Sequence, residues 1–156
     1  MMNAPVSQPA EPKIMKRELS YGEFALSETQ RLTFRQGLPG FEHLHRFTVA
    51  ELTDFSPFSV LLSDEEPEIS MMIINARFLK IWESIRIHPR EIEPLGAQGL
   101  ADIDIWVILR TDPATHAFTA NVKAPLVVNR KTGQSHQVIL DNDDLSVQYP
   151  LSEGLI

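Results

Sequence analysis

The sequence predicts an all-β protein, an antiparallel β-sandwich or barrel with at most one or two short helical turns. Apolar runs of strand length recur along the whole chain, and turn-forming residues separate them at short intervals. Segments long enough to be crossover helices are too few for a parallel α/β sheet. The 156 residues are enough for one domain, which would bury about 70% of the surface that the unfolded chain exposes.

The predicted strands follow one another with little between them except turns. In chain order they are residues 18–26, 31–35, 46–52, 58–62, 69–74, 78–87, 104–110, 116–122, 126–129, 137–140 and 145–149. Turn formers stand at residues 37–40, 56–57, 65–67, 112–113, 131–133 and 141–144. Residues 90–100 alone are a candidate for a helical turn or two, which Pro94 limits in length and Gly96 and Gly99 end.

Two of these segments have patterns that predict their burial. Alternation in the segment 78–87 predicts a strand with one core-facing side. One side would carry Ile81, Glu83, Ile85 and Ile87, and the other Trp82, Ser84 and Arg86. Residues 106–109 are continuously apolar, which predicts a central strand buried on both faces. Met71, Met72 and both tryptophans are expected to fill the core.

Composition excludes several classes of chemistry. The chain has no cysteine, so disulfides, thiolate nucleophiles and cysteine-ligated metals are excluded, and a reducing cytoplasm is the expected location. The formal net charge of −7 argues against direct binding of nucleic acid, because neutralising phosphates requires clustered Lys and Arg.

The first residues differ in composition from the rest. Residues 1–13 contain three prolines and no apolar core run, which predicts a disordered segment and not a secretory signal or membrane anchor. A single folded domain is expected over residues 14–156. No later apolar run has the length of a membrane span, so no membrane partner is expected.

A search for catalytic and metal-binding patterns finds only partial matches. The segment 133–137 begins like a nucleophile elbow but has Gln137 where a glycine belongs. His43 and His45 are two residues apart and could begin a metal site, yet no third ligand is evident. Residues 141–144 begin like a calcium loop, but Ser146 and Ser152 replace the required glycine and acid, so an Asx-rich turn is expected.

No nucleotide-binding glycine loop is present either, and the acidic run Asp64, Glu65, Glu66 and Glu68 has the pattern of a solvated turn. We therefore expect a binding protein, not an enzyme, with no cofactor and no metal.

The most informative stretch of the chain is a turn between two strands. Residues 37–42 read Gly37, Leu38, Pro39, Gly40, Phe41 and Glu42. Glycines permit backbone angles that are closed to other residues, proline fixes its own, and the two apolar side chains must be either buried or presented. Such a turn has the chemistry of a shaped loop and none of a catalytic site.

A second block completes a resemblance to a known family. It contains Asn121, Ala124, Pro125, Asn129 and Gln137. Together with residues 21–26, 32–34, 37–42 and 57–63, and in this order and spacing, it is similar to the flagellar assembly factor FliW family over nearly the whole folded chain. There are two departures: Leu62 stands where the family usually has Gln, and Asn75-Ala76 stands where an acid or Asn followed by Pro is common.

The resemblance implies an antiparallel β pseudo-barrel that acts as a partner-switching protein in the cytoplasm, and a monomer is expected. Family members bind flagellin and, once flagellin is exported, bind the RNA-binding regulator CsrA, which then releases flagellin mRNA for translation. Disordered flagellin termini would need an apolar surface on which to bury their own apolar side chains. Leu38, Phe41 and Phe58 are therefore candidate flagellin contacts. Further candidate partner contacts are Glu42, Asp64, Glu65, Glu66 and Glu68, while the family-motif residues Gly37, Pro39, Gly40, Asn121, Ala124, Pro125, Asn129 and Gln137 are expected to be structural.

Two alternatives remain open. The first is a small-molecule-binding or hydrolytic β-barrel, in which at least two of His43, His45 and Ser135 would converge on one cavity. The second is a divergent FliW paralogue that has lost one partner, for which Leu62 and Ala76 are the motivating departures.

Overall fold

A computed structural model describes residues 14–19 and 22–156, so the predicted disordered segment 1–13 lies outside the described residues. The strands are β1 (Ile14–Leu19), β2 (Gly22–Phe34), β3 (Arg46–Leu52), β4 (Phe58–Ser63), β5 (Ser70–Asn75), β6 (Ile103–Thr111), β7 (Phe118–Ala120), β8 (Leu126–Asn129), β9 (Gln134–Gln137) and β10 (Tyr149–Pro150). The helices are α1 (Pro89–Ile92) and α2 (Leu151–Gly154), with 3₁₀ turns at Ala76–Phe78, Trp82–Ser84, Glu93–Leu95 and Leu100–Asp102. None of the described helices is long and apolar enough to cross a membrane.

The sheet closes on itself into an irregular ring. Strands β2 to β6 pair in chain order, and β8 then pairs with β6 while β9 joins β8 to β2. The β2–β9 pair is parallel and two residues long, whereas the other pairs in the described part of the chain are antiparallel. Strand β1 folds back on β2, and β7 and β10 extend the sheet beyond β6. The predicted all-β fold class is confirmed.

Most strands of the ring are covered on both the inner and the outer face. Alternate residues of these strands form an inner core that includes Phe34, Phe47, Leu61, Ile73 and Leu126. The intervening residues face outward and are covered in two places. The segment 76–102 and the C-terminal residues pack over β5, β6 and β8, while the β1–β2 hairpin packs over β3 and β4. Burial on both faces explains why so many of the predicted strands are nearly continuously apolar.

Strand β6 confirms the prediction of a central strand. It pairs with β5 on one edge and with β8 and then β7 on the other. Trp106 and Ile108 pack against the inner core, and Val107 and Leu109 belong to the outer core. In the apolar run 106–109, Val107 and Leu109 are buried on the outer face, whereas Trp106 and Ile108 on the inner face are half-buried, so the expected burial on both faces is met only in part.

The predicted strand at 78–87 is wrong. This segment contains 3₁₀ turns and then an unpaired stretch. Ile85 and Ile87 are buried and alternate with exposed neighbours, but Glu83 is exposed. Trp82 is 47% exposed, so it does not fill the core as expected. Alternation correctly indicated one buried side of an extended segment, but it carries no information about a hydrogen-bonded partner.

Other boundaries also differ from the predictions. Residues 18–26 form parts of two strands joined by a hairpin, not one strand. Strand β9 ends at Gln137, where the predicted strand 137–140 begins, and the predicted strand 145–149 is replaced by the short β10. Short helical segments are also more numerous than the one or two expected. The expected stop at Gly96 is confirmed, because its φ of 72° caps the turn Glu93–Leu95 in the left-handed conformation.

Candidate partner-binding groove

The turn after β2 is shaped by two glycines with different constraints. Gly37 has φ 66°, and a Cβ there would lie 2.6 Å from the Cα of Glu42 and 2.7 Å from the carbonyl oxygen of Phe41. Gly40 has φ 86°, but a Cβ there would meet no atom within 4 Å. Gly37 is thus required by both backbone angle and close approach, and Gly40 by its backbone angle alone.

The turn directs its two apolar side chains inward. The amide of Phe41 donates to the carbonyl of Leu38 at 2.7 Å, and the amide of Leu44 donates to the carbonyl of Phe41 at 3.0 Å. Leu38 is 2% exposed and belongs to the inner core, while Phe41 is half-buried and packs against that core. Leu38 therefore has mainly a structural role, and Phe41 remains accessible from one side.

The first part of the second sequence block forms the loop between β7 and β8. The side-chain oxygen of Asn121 accepts from the amide of Ala124 at 3.1 Å, and Gln137 Nε2 donates to the carbonyl of Ala124 at 2.9 Å. The carbonyl of Pro125 accepts from the amide of Val138 at 3.0 Å. These bonds fix the 121–125 loop against the chain that follows β9.

Asn129, the last residue of this block, is almost fully buried. Its Nδ2 donates to the carbonyl of Leu95 at 2.9 Å, and its Oδ1 accepts from the amide of Lys131 at 3.0 Å. A buried amide with both ends satisfied holds the 3₁₀ segment to β8. That the residues of this block are structural stays a prediction.

The turn and the second block meet at one open groove of about 850 Å³, which we call the apolar groove. Leu38, Pro39 and Phe41 line it from the turn, and Asn121, Ala124 and Gln137 line it from the second block. Phe58, Met71, Met72, Ile108 and Leu109 also line it, from β4 and from the neighbouring parts of β5 and β6. The candidate contacts Leu38 and Phe41 of the turn are thereby brought together with the candidate contact Phe58 of β4.

The rim of the apolar groove carries residues that the sequence reasoning did not single out. Phe55, Phe118 and Ile139 are 54%, 36% and 75% exposed. The rings of Phe58 and Phe118 lie 6.1 Å apart between centroids. Arg110 also lines the groove and is exposed. Phe55 stands between two predicted strands, beside the turn formers at 56–57. An aromatic side chain at such a position is the one local signal that could have indicated this rim.

The acidic run forms a loop, residues 64–68, that is tied to the segment following the turn. Glu65 Oε1 accepts from the amides of His45 and Arg46 at 2.9 Å and 2.8 Å. Glu66 Oε1 lies 3.1 Å from His43 Nε2, and Asp64 accepts from the hydroxyl of Thr48 at 2.7 Å. These contacts leave Glu68 as the member of the run with no ion pair in the described part of the chain.

Two glutamates in this region have lowered pKa values. Hydrogen bonds from the amides of His45 and Arg46 hold the pKa of Glu65 below its ordinary value. Hydrogen bonds from the amides of Gly40 and of Glu42 itself lower the pKa of Glu42, whose carboxylate accepts from Gly40 at 3.1 Å. Both side chains are anionic at neutral pH, and both brace the backbone beside the groove.

The residues of the small-molecule alternative do not converge. His45 Nδ1 is bonded to the carbonyl of Phe34 at 2.9 Å, and His43 faces Glu66 at the surface. Ser135 is buried, and its hydroxyl donates to the carbonyl of Gly133 at 2.9 Å. None of the three lines the apolar groove. The described residues also contain no group of three or more His, Cys, Asp and Glu side chains suited to a metal.

The remaining sequence features have local roles. In the expected Asx-rich turn, the side chain of Asn142 accepts from the amide of Asp144 at 3.0 Å, which confirms that expectation. Leu62 is buried in the outer core under the β1–β2 hairpin, and Ala76 is buried at the start of the segment 76–102. Neither departure from the family pattern lines the apolar groove.

Comparison with known proteins gives one consistent result. The family described as FliW protein matches residues 16–151. A flagellar assembly factor FliW of Thermosipho africanus is 35% identical over 141 residues, which cover 89% of this chain and 97% of that protein. Its counterpart in Thermotoga sp. strain RQ2 is 29% identical, with 86% and 91% covered. A crystal structure of the flagellar assembly factor FliW superimposes with a TM-score of 0.70 at 30% identity, and the match covers 88% of this chain and 96% of that one.

Proposed function

Because this chain belongs to the FliW family of flagellar assembly factors, we propose that it acts in flagellar assembly as a non-enzymatic binding protein of the cytoplasm. It binds flagellin before export. When flagellin has been exported, it binds the RNA-binding regulator CsrA and relieves the repression of flagellin mRNA translation. It binds neither nucleic acid nor membrane directly.

The observation that carries this proposal is the meeting of both family blocks at the apolar groove. A protein that receives a segment of an unassembled partner must offer it apolar surface, because such a segment has no core of its own. Phe41 and Phe58 present half-buried rings in the groove, and Phe55 and Phe118 extend the apolar surface at its rim. The groove also lacks a converging set of titratable side chains that could act as acid, base or nucleophile.

The acidic loop supplies the second half of the proposal. A carboxylate about 10 Å from an RNA phosphate costs on the order of 0.4 kcal/mol in water, before salt screening lowers the figure. Several carboxylates together contribute about 1–2 kcal/mol, at the low end of allosteric coupling energies. Repulsion of RNA from a CsrA-bound complex therefore assists the antagonism but does not suffice, and a change in CsrA itself completes it.

Calorimetric titration tests the partner switch. The purified protein is titrated with CsrA of its own organism, first alone and then after saturation with flagellin. Micromolar or tighter binding of CsrA that flagellin abolishes is the expected result. A folded, monodisperse protein that binds neither partner would refute the proposed function and leave the family fold alone.

The charge contribution has its own test with little risk to folding. Glu68 and Asp144 are exposed, and neither side chain makes an ion pair within the described residues. The double variant Glu68→Gln and Asp144→Asn should weaken displacement of RNA from CsrA while leaving CsrA binding nearly intact. Unchanged displacement would show that these two carboxylates contribute no repulsion, and the proposed charge contribution would then be wrong for the exposed, unpaired members of both acidic runs.

A further inference from the structure

Strand β1 has one edge without a strand partner. It pairs with β2 along its whole length, and no other strand of the described residues pairs with its second edge. We propose that a second copy of this chain adds its own β1 to that edge, antiparallel and about a two-fold axis at Arg17. The two hairpins then form one continuous sheet. This self-association involves neither flagellin nor CsrA, and in concentrated protein it replaces the monomer that the family resemblance implies.

The exposed face of the β1–β2 hairpin contains two carboxylates in opposed positions. Glu18 stands directly opposite Glu23, so both side chains lie on the same face of the sheet. Lys16 lies on this face as well, opposite Ala25. Lys16, Glu18 and Glu23 are exposed, and none of them makes an ion pair within the described residues. Like charges directly opposite one another destabilise a strand pair, and the single copy contains no ion pair that offsets this repulsion.

The geometry of an antiparallel pair limits how two β1 strands can meet. Residues directly opposite one another share a face, so a two-fold pair places one residue opposite its own copy. An axis at Lys16 or at Glu18 would oppose like charges on the exposed face. An axis at Arg17 instead places Lys16 of each copy opposite Glu18 of the other, and Met15 opposite Leu19. The sequence of β1 is therefore complementary to itself in this one register.

Arg17 lies opposite its own copy in this register but on the other face of the hairpin. It is half-buried, and its guanidinium donates to the carbonyl of Pro67. Pro67 stands between Glu66 and Glu68 in the acidic loop. Each arginine is therefore held toward an acidic segment of its own copy, which reduces the repulsion between the two arginines.

The proposed contact is small, so the association should be weak. Strand β1 is six residues long, and pairing along it buries less area than the roughly 1,600 Å² of a standard stable interface. Charged side chains commonly protect edge strands from unwanted pairing. On β1 the two signs alternate along the exposed face, so these charges select one register for a second copy and oppose the others.

Charge exchange tests the register by sedimentation equilibrium at protein concentrations of about 10 µM to 1 mM. Lys16→Glu and Glu18→Lys should each weaken self-association about fivefold or more, because each places like charges opposite one another on both sides of the axis. An equimolar mixture of the two variants should recover association, since opposite charges then face each other again. Lys80→Glu and Glu83→Lys make the same changes at exposed positions outside β1 and should stay within about twofold of wild type.

A disulfide cross-link tests the position of the axis. The chain has no cysteine, so a single introduced cysteine reports on one position. Opposed residues of antiparallel strands have Cα atoms about 4.5–5.5 Å apart, within the range of about 4.4–6.8 Å that a disulfide requires. Arg17→Cys should form a linked dimer under mild oxidation, whereas Lys80→Cys at the same concentration should not. This test decides the proposal if a charge variant fails to fold by circular dichroism.

Three results would overturn the proposal. The first is wild-type protein that stays monomeric up to about 1 mM. The second is a dimer that both charge variants retain, because the contact would then lie on another surface. The third is a mixture of the two folded variants that associates no better than either variant alone. Titration with flagellin and CsrA measures the proposed function separately, so its failure would leave this inference unchanged.

Discussion

The turn between β2 and β3 offers a matched pair of substitutions whose difference follows from its geometry. Gly37 and Gly40 both have positive φ, at 66° and 86°. An alanine in this left-handed region costs roughly 1–2 kcal/mol relative to glycine. A Cβ at Gly37 would in addition lie 2.6 Å from the Cα of Glu42, whereas a Cβ at Gly40 would enter open space.

The close approach decides the magnitude. Because the neighbouring atoms at Gly37 are backbone and not the end of a flexible side chain, the loop itself must open, at a further cost of about 1–3 kcal/mol. Gly37→Ala should therefore lower the free energy of unfolding by about 2–5 kcal/mol and Gly40→Ala by about 1–2 kcal/mol. Opening the turn would also displace Phe41, which lines the apolar groove.

Urea unfolding followed by tryptophan fluorescence measures both losses. With a urea dependence of about 2 kcal/mol per molar, the midpoints of the two variants should differ by about 0.5–1.5 M. Equal losses for the two alanines would refute the close-approach reasoning. A Gly37→Ala variant that folds as stably as wild type would refute the assigned shape of the turn.

Three further predictions concern side chains outside the groove. Glu65→Gln should remove acid-sensitive stability: the lowered pKa of Glu65 means that its contribution is present above its ordinary value of 4.5 and lost as the pH falls through the folded pKa, so urea midpoints of wild type and variant should converge in acid. Asn129→Ala leaves the carbonyl of Leu95 without its buried donor and should cost about 1–3 kcal/mol in urea unfolding. Leu62→Gln restores the residue usual in the family but buries an amide in the outer core, so we expect a loss of about 1–3 kcal/mol with flagellin binding unchanged in calorimetry.

Local pattern was sufficient to predict the fold class because most strands of the ring are buried on both faces. The bounds of β3 and β8 match the predicted strands, and the bounds of β4 and β6 lie within one residue of those expected. The closure of the ring was not predictable. Strand β9 meets β2 through two parallel residue pairs, Thr33 with Gln134 and Phe34 with Ser135, and nothing in either segment marks the other as its partner.

The candidate site was predictable only in part, for a related reason. The turn at 37–42 has a local signature, since glycine and proline restrict the backbone whatever surrounds them. The rim residues Phe55 and Ile139 lie in separate loops and Phe118 begins β7, so only the folded sheet brings them together. The acidic loop was expected to be solvated, yet Glu65 and Glu66 contact the segment 43–46. The amides of His45 and Arg46 donate to Glu65, and the imidazole of His43 lies within hydrogen-bond distance of Glu66.

These contacts make the turn a common support for two surfaces of opposite character. Phe41 lines the apolar groove, and two residues further on His43 contacts Glu66 of the acidic loop. Under the proposed function, a flagellin segment in the groove lies beside the acidic loop and excludes CsrA by occupying adjoining space, without a conformational change in this chain. Variants that open the turn, such as Gly37→Ala, should then weaken the binding of both partners together in calorimetric titration, and loss of one partner alone would refute the shared support.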